Sequence, residues 1–221
     1  MGKTIIVANL KSYKNENEAK TWLEGFKKIT ELNLDLTQKE IIICPSFTQL
    51  FSFFSFFSTN NISVKLGGQN VSPFDEGAYT GEVNAKQIKD FAEYVLVGHL
   101  ERRQNFNESE EMLNKKVSVA IQYGLSPIFL IQNQDDLIPQ GVQVIAYEPV
   151  AAIGSGIADT PENADAVAAI IKTKNNAQAL YGGSVTSENV KSFTAKTNID
   201  GVIVGGASLE AEEFIKIIQN A

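Results

Sequence analysis

Cysteine, histidine and long apolar runs are scarce in this 221-residue chain, and each scarcity excludes a class of protein. Cys44 is the only cysteine, so no internal disulfide can form, and its place in an apolar run predicts a buried structural thiol. His99 is the only histidine, which argues against an ordinary zinc site, and we expect no metal. No stretch approaches the roughly 20 apolar residues that span a bilayer, and residues 1–4 lack the apolar core of a signal peptide. We therefore expect a cytoplasmic protein that does not bind membranes.

Acidic residues outnumber basic residues, 26 against 19, and the formal net charge is −7. This balance argues against binding to nucleic acid or to anionic membranes, because both would repel the chain. An anionic substrate would have to be attracted by local groups. Neither a P-loop nor a nucleophile-elbow motif is present. The aromatic run at 51–57 predicts one packed helix face, with a membrane-touching helix as the alternative.

Eight apolar, β-branched runs recur without clean polar alternation, which is typical of parallel strands buried on both faces. They are Thr4–Asn9, Glu40–Pro45, Val64–Gln69, Tyr94–His99, Ser126–Ile131, Val142–Glu148, Gln178–Gly182 and Gly201–Gly205. Amphipathic segments lie between most of them, at Glu16–Leu32, Glu108–Tyr123, Pro161–Lys174, Ser187–Thr197 and Leu209–Gln219. Only 132–141 separates the fifth and sixth strands, which leaves room for about one helical turn.

Eight strand–helix repeats without a linker predict an α/β fold, a single (β/α)8 barrel domain over residues 1–221 with a shortened fifth helix. An open doubly wound sheet is the alternative, but it would usually carry a glycine-rich turn after its first strand. This chain has Asn9-Leu10-Lys11 there. Active sites of such barrels lie at the carboxyl ends of the strands. Reactive side chains are therefore expected at those ends.

Titratable and polar side chains lie at the ends of three of the predicted strands. Asn9 and Lys11 lie at the end of the first strand, His99 and Glu101 at the end of the fourth, and Glu148 at the end of the sixth. Pro149 disfavours helical angles at the preceding residue, so it holds Glu148 extended. A lysine, a histidine and a glutamate at one edge of a barrel suit proton transfer on a small carbonyl compound.

Glycines at the same edge predict a phosphate site. Gly205 and Gly206 precede a helix expected to begin near Ser208, so free backbone N–H groups would face an anion there. Gly183-Ser184 offers the same from the neighbouring strand, and the two glycines at 154 and 156 predict a hinged loop. Phosphate binding after strands seven and eight recurs across barrel enzymes, so this feature does not specify one activity.

Seven motifs in order resemble those of the triosephosphate isomerase family. They are Asn9-x-Lys11, Gly68-Gln69-Asn70-Val71, Gly77-Ala78-Tyr79-Thr80-Gly81-Glu82, Gly98-His99-x-Glu101-Arg102-Arg103, Tyr147-Glu148-Pro149-Val150-x-Ala152-Ile153-Gly154-x-Gly156, Tyr181-Gly182-Gly183-Ser184-Val185 and Gly201-Val202-x-Val204-Gly205-Gly206-Ala207-Ser208-Leu209. The resemblance covers the whole chain. It implies interconversion of dihydroxyacetone phosphate and D-glyceraldehyde 3-phosphate through an enediol(ate), in glycolysis and gluconeogenesis, without a cofactor.

The resemblance also implies a role for each site residue. Glu148 would be the base that moves the proton between carbons, and a neutral His99 would polarise the carbonyl; this family is the established example of that pairing. Lys11 would offset negative charge, Asn9 would orient the substrate oxygens, and Glu101 would support the site. The phosphate would be held by backbone N–H groups of Gly154, Ser184, Gly205 and Gly206.

Several positions depart from the family pattern. Leu100 stands where serine is usual, Ala151 where the lid has tryptophan, and Ile157 where it has lysine, so the rate and lid closure are expected to change. The chain is short like archaeal members, whereas its loop motifs look bacterial. The loop after the third predicted strand is long, which in this family favours a homodimer over a tetramer. Two alternatives stay open: another phosphate-binding barrel isomerase or lyase, and a non-catalytic homologue.

Overall fold

Eight parallel strands close into a barrel in chain order in the computed structural model, which describes residues 2–32 and 34–221. The strands are β1 (Thr4–Asn9), β2 (Lys39–Cys44), β3 (Lys65–Gly68), β4 (Tyr94–Val97), β5 (Ser126–Ile131), β6 (Val144–Tyr147), β7 (Gln178–Gly182) and β8 (Gly201–Val204). The predicted barrel is therefore confirmed. Several strands end a residue or two before their predicted ends, among them β4, which stops before Gly98.

The barrel closes because β1 pairs with both β2 and β8, with Val7 in register with Ile42 on one side and Ile203 on the other. Side chains that include these three fill the barrel interior. Alternate residues of the same strands face outward and pack against the helices in a second, larger core. Burial on both faces explains why the strand sequences show no polar alternation.

Helices surround this barrel. They are α1 (Glu16–Lys27), α2 (Phe47–Thr59), α3 (Ala85–Lys89), α4 (Leu100–Phe106), α5 (Glu110–Gln122), α6 (Pro161–Asn175), α7 (Val190–Thr194) and α8 (Ala211–Asn220). Thr160 caps α6 by accepting the Asn163 N–H, with Pro161 in the first turn as predicted. Helix α7 is much shorter than the predicted 187–197. Helix α8 begins two residues after the predicted start, and a 3₁₀ turn, Gly206–Leu209, precedes it.

The connection between β5 and β6 contains turns, and no helix is assigned among its described residues, 132–143. The helix expected between the fifth and sixth strands, which the sequence predicts to be short, is therefore reduced to turns. Among residues 2–32 and 34–221, no helix has both the length and the apolar character needed to cross a membrane.

Helix α2 carries the aromatic run, and its phenylalanines do not form one packed face. Phe53 and Phe57 are buried, whereas Phe51 is 62% exposed and Phe54 39% exposed. Both exposed rings make edge contacts with Phe91. The sequence interpretation of this helix was therefore wrong for two of its rings, because the run is longer than the stripe that one helix can bury.

Candidate active site

The carboxyl end of β1 places Lys11 in an unusual backbone conformation. Its φ is +52°, and its backbone N–H donates to the Asn9 side-chain oxygen at 3.0 Å. The Gln69 amide donates to the Lys11 carbonyl and to the Cys44 carbonyl, at 2.8 Å in each case. The Lys11 ammonium then lies 2.5 Å from a Glu101 carboxylate oxygen. Three side chains therefore fix this lysine at the rim of the barrel.

The end of β4 fixes the protonation pattern of His99. The Glu101 backbone N–H donates to His99 Nδ1 at 3.2 Å, as His99 caps the N-terminus of α4. Because Nδ1 accepts a hydrogen bond, the neutral imidazole carries its proton on Nε2. Arg103 donates to the carbonyl of the preceding Gly98 at 2.8 Å, and that glycine has φ +83°. Leu100, the departure beside the histidine, is buried in the first turn of α4.

Glu148 directly follows β6 and is buried, with 6% of its surface exposed. Its Oε2 lies 3.5 Å from His99 Nε2 and has no hydrogen-bond partner within the described part of the chain. Gly182 lies beside it: a Cβ there would be 2.7 Å from Glu148 Cγ and 2.6 Å from Ile203 Cγ2. The carboxylate thus occupies a slot that exists because residue 182 has no side chain.

Burial raises the pKa of the Glu148 carboxyl. The neighbouring His99 and Lys11 oppose this shift, and Glu101 adds to it. Lys11 is the nearest full cation of the set, but its ammonium is held by Glu101. Glu148 therefore has two properties that suit a general base, a raised pKa and an oxygen with no hydrogen-bond partner among the described residues.

These side chains line one cavity of about 380 Å³. Asn9, Lys11, His99 and Glu148 lie along it, and all four were predicted from the sequence. Glu101, also predicted, contacts Lys11 and His99 but is not part of the lining. The volume suits a small molecule of the size the sequence analysis predicts.

The predicted phosphate residues Gly154, Ser184, Gly205 and Gly206 line the same cavity. Ser184 has φ +49°, and its hydroxyl donates to the Ala152 carbonyl at 2.7 Å. A Cβ at Gly205 would approach Lys11 Cε to 3.0 Å, so the lysine stem passes directly beside this turn. Backbone donors of a glycine-rich turn and an ammonium group next to them suit an anion.

The segment 149–157 lies over the cavity and is tied to β7. Besides the bond from Ser184, the Asp159 N–H just beyond the segment donates to the Tyr181 hydroxyl at 2.8 Å. Ala152 is buried, whereas Val150 is 53% exposed and Ile157 73% exposed. The segment is thus held at both sides while its middle carries little packing.

The sequence analysis did not identify Gly182, Ile203 or Gln69 as contributors to the site. The first two were within reach of the predicted strand order, because Tyr147 is in register with Tyr181, which puts the next residues, Glu148 and Gly182, side by side. Gln69 belongs to a quoted motif, but its two hydrogen bonds depend on a side-chain direction that a sequence pattern does not give.

Comparison with known proteins gives one family throughout. The family model for triosephosphate isomerase matches residues 4–143 and 139–221. Among curated proteins, the chain is 37% identical to the triosephosphate isomerase of Dictyoglomus turgidum, covering 100% of both sequences. It is 39% identical to that of Trichodesmium erythraeum, covering 99% of both. It is 38% identical to that of Thermodesulfovibrio yellowstonii, covering 99% of this chain and 100% of the relative.

The alignment with the Dictyoglomus turgidum protein spans 254 positions, whereas this chain has 221 residues. The match therefore covers the whole fold with deletions in this chain, in keeping with the missing helix between β5 and β6. A full-length family match, the closed barrel and the cavity at its carboxyl edge agree with one another. The chain belongs to the triosephosphate isomerase family.

Proposed function

We propose that this protein interconverts dihydroxyacetone phosphate and D-glyceraldehyde 3-phosphate, a reaction of glycolysis and gluconeogenesis. The observation that carries the proposal is Glu148, a buried carboxylate with a raised pKa and an oxygen without a partner in the described chain, in the same cavity as His99. The family match and the names of its relatives support it.

Glu148 takes the proton from the carbon next to the carbonyl, which leaves an enediolate, and returns the proton to the neighbouring carbon. Its position favours this step because the carboxylate lies in the space that Gly182 leaves beside it and lines the cavity. Burial keeps water from hydrogen bonding to the base and so preserves its basicity. Triosephosphate isomerases are the established example of a glutamate base paired with a neutral histidine.

His99 donates its Nε2–H to the carbonyl oxygen on which negative charge develops. The bond from the Glu101 N–H to Nδ1 leaves Nε2 as the only ring donor of the neutral form. A neutral donor polarises the oxygen and can pass a proton between the two substrate oxygens. Lys11 supplies the positive charge, and Asn9, which supports the lysine backbone, orients the substrate oxygens.

The phosphate is bound by the turns around Gly154, Ser184, Gly205 and Gly206, next to the Lys11 stem. Binding of this non-reacting group provides free energy for closing the 149–157 segment. Closure over the enediolate excludes water and limits loss of phosphate from it. The departures Ala151 and Ile157 leave this lid without a bulky or charged side chain at those two positions.

We also infer that the protein is a homodimer. Four partly exposed apolar side chains, Phe74, Tyr79, Phe106 and Met112, line one groove of about 410 Å³ beside the third loop. Phe74 and Tyr79 stack with ring centroids 4.3 Å apart. Val71, which precedes these residues in the loop after β3, is buried in the chain's own core and does not contribute to the groove. Thr80 lines the same groove, and we expect it to approach the partner's active site.

An assay that couples glyceraldehyde 3-phosphate turnover to a dehydrogenase for dihydroxyacetone phosphate tests the activity. Glu148→Gln keeps the shape of the side chain and removes the base, so kcat is expected to fall by about 10²–10⁴-fold. Glu40→Gln is the matched control, since Glu40 is bonded to Tyr94 among residues that lie away from the cavity lining. Turnover in Glu148→Gln above about a tenth of wild type would contradict the assignment.

The same assay separates the proposed function from the two alternatives. Another phosphate-binding barrel enzyme would leave this substrate unconverted, and so would a non-catalytic homologue. The cytoplasmic location and the single-domain organisation over 1–221 stay predictions.

A further inference from the structure

The only tryptophan of the chain, Trp22 in α1, is bonded to the turn that follows β8. Its indole Nε1–H donates to the Ser208 carbonyl at 2.9 Å, across 186 positions of sequence, and the ring is 3% exposed. Trp22 is not among the residues that line the active-site cavity. Its hydrogen bond therefore reaches the candidate phosphate turn from the side away from the active-site cavity.

Ser208 links this turn to two other elements. It is fully buried, and its hydroxyl donates to the Gly205 carbonyl at 2.7 Å and to the Asn9 carbonyl of β1 at 3.4 Å. Its own carbonyl accepts from Trp22. Because a peptide unit is planar, fixing the Ser208 carbonyl also fixes the direction of the following Leu209 N–H. Leu209 lines the cavity.

The glycine end of the turn is held through Ser208, whose N–H and hydroxyl both donate to the Gly205 carbonyl, at 2.9 and 2.7 Å. Gly205 has φ −91° and ψ −99°, outside the helical and strand regions, and an added Cβ at Gly206 would meet no atom within 4 Å. The turn itself is a single 3₁₀ turn, Gly206–Leu209. A short turn that begins with two glycines keeps its shape only if its last residues are anchored.

The indole is rigid enough to serve as that anchor. It stacks on Phe26, with centroids 5.0 Å apart and 8° between the rings, and it contacts Phe53 and Phe214. These contacts join α1, α2 and α8 around the ring and leave its N–H with one fixed direction.

We propose that Trp22 is a positioning residue, which holds the 205–209 turn so that its backbone N–H groups stay aimed at the substrate phosphate. The inference rests on the proposed function, because it concerns the phosphate end of that site. A side chain that contacts neither the substrate nor the active-site cavity thus contributes to phosphate affinity.

Trp22→Phe tests this, because it keeps an aromatic ring in the cluster and removes the N–H. The Ser208 carbonyl then loses its donor. Loss of one such hydrogen bond corresponds to about a 3- to 10-fold change in an equilibrium constant. We expect the inhibition constant for inorganic phosphate to rise by that factor and kcat/KM for glyceraldehyde 3-phosphate to fall by it. The kcat/KM for unphosphorylated glyceraldehyde should stay within about twofold of wild type.

Phe26→Leu is the matched control, because Phe26 belongs to the same aromatic cluster and makes no hydrogen bond to the turn. It should lower Tm to a similar degree without changing phosphate inhibition. Equal inhibition constants for wild type and Trp22→Phe would overturn the inference. So would a parallel loss with both triose substrates, or the same loss in Phe26→Leu, since each indicates a general packing effect.

Should Trp22→Phe fail to fold, the wild-type enzyme gives the answer. A single tryptophan yields one indole N–H signal in a ¹⁵N spectrum, and inorganic phosphate should shift it with the dissociation constant found by inhibition. A signal unmoved at saturating phosphate overturns the inference while the isomerase activity stands. Wild-type enzyme that neither turns over the substrate nor binds phosphate overturns the proposed function, and the inference with it.

Discussion

Gly182→Ala tests whether the position of Glu148, rather than its chemistry alone, sets the rate. Gly182 is the last residue of β7, and its φ lies outside the left-handed region, so alanine introduces no backbone strain there. The added Cβ would lie 2.6 Å from Ile203 Cγ2 and 2.7 Å from Glu148 Cγ. The effect of this substitution is therefore purely steric.

The magnitude follows from these two distances. Carbon atoms in contact prefer about 3.5–4.0 Å, so both contacts would be short by about 1 Å, and the neighbour that is less firmly held should move further. Ile203 is held inside the packed barrel, whereas Glu148 Oε2 has no hydrogen bond to restrain it among the described residues. The carboxylate should move, and a misplacement of 1 Å costs about 10²-fold in rate. Overpacking should also lower stability by about 1–3 kcal/mol.

Steady-state kinetics well below the Tm of each variant would measure this. Gly67→Ala is the matched control: its Cβ would lie 2.6 Å from Cys44 Sγ, an equally severe clash on β3 that does not involve Glu148. We expect both variants to lose stability and Gly182→Ala alone to lose about 10²-fold in kcat. Equal kcat in the two variants would refute the reasoning.

Four further predictions concern the same molecule. Activity should decline as pH falls through the raised pKa of Glu148, at higher pH than for an ordinary glutamate, and a decline centred at or below the pH of an ordinary glutamate, about 4.3, would contradict this. Because the folded protein raises this pKa, it loses stability as the pH rises and the buried carboxyl ionises. Glu148→Gln should therefore raise Tm near pH 7, by about 2–4 °C for each kcal/mol by which the loss of the buried charge stabilises the fold, and the gain should vanish below the unfolded pKa of about 4.3. A Tm equal to that of wild type both near pH 7 and below pH 4.3 would contradict this. A phosphonate analogue should protect amides 150–157 from hydrogen exchange while glycerol should not, and identical protection would exclude a ligand-gated lid. Phe74→Glu should shift the species seen by light scattering toward monomer and reduce activity, whereas an unchanged mass would remove this loop from the interface.

The strands were predictable because burial on both faces leaves a direct mark on composition. The runs at Thr4–Asn9, Ser126–Ile131 and Gln178–Gly182 have the predicted bounds. The fourth strand ends early for a local reason: Gly98 has φ +83°, and His99 then caps α4. An apolar run shows where a strand is buried but not where its backbone turns away.

Helix ends were harder to predict, and α7 shows why. The amphipathic pattern extends over 187–197, but the helix occupies Val190–Thr194. Before it, the Thr186 N–H donates to the Asn189 side-chain oxygen, and the Ser187 N–H donates to Glu213. Such side-chain bonds satisfy the backbone without a helix, and the second comes from a distant element that periodicity does not reveal.

Within the site, positions along the chain were predictable and contacts were not. Strand ends placed Lys11, His99 and Glu148 at one edge of the barrel, and the cavity there includes all three. The pairing of Lys11 with Glu101 and the bond from Trp22 to Ser208 join residues 90 and 186 positions apart. Both depend on side-chain directions within a packed barrel, for which a single sequence carries no periodic pattern.

The charges around Glu148 are arranged so that none of them neutralises it. The Lys11 ammonium is held at 2.5 Å by Glu101, and the same residue's backbone N–H donates to His99 Nδ1. Were the lysine paired with Glu148 instead, the pKa of that carboxyl would fall and the group would be a weaker base. Glu101 thus has two roles from one position: it fixes the lysine for the substrate's negative charge and keeps it from the base. In the reaction we propose, this division of partners adds to burial in keeping Glu148 available to accept a proton from carbon.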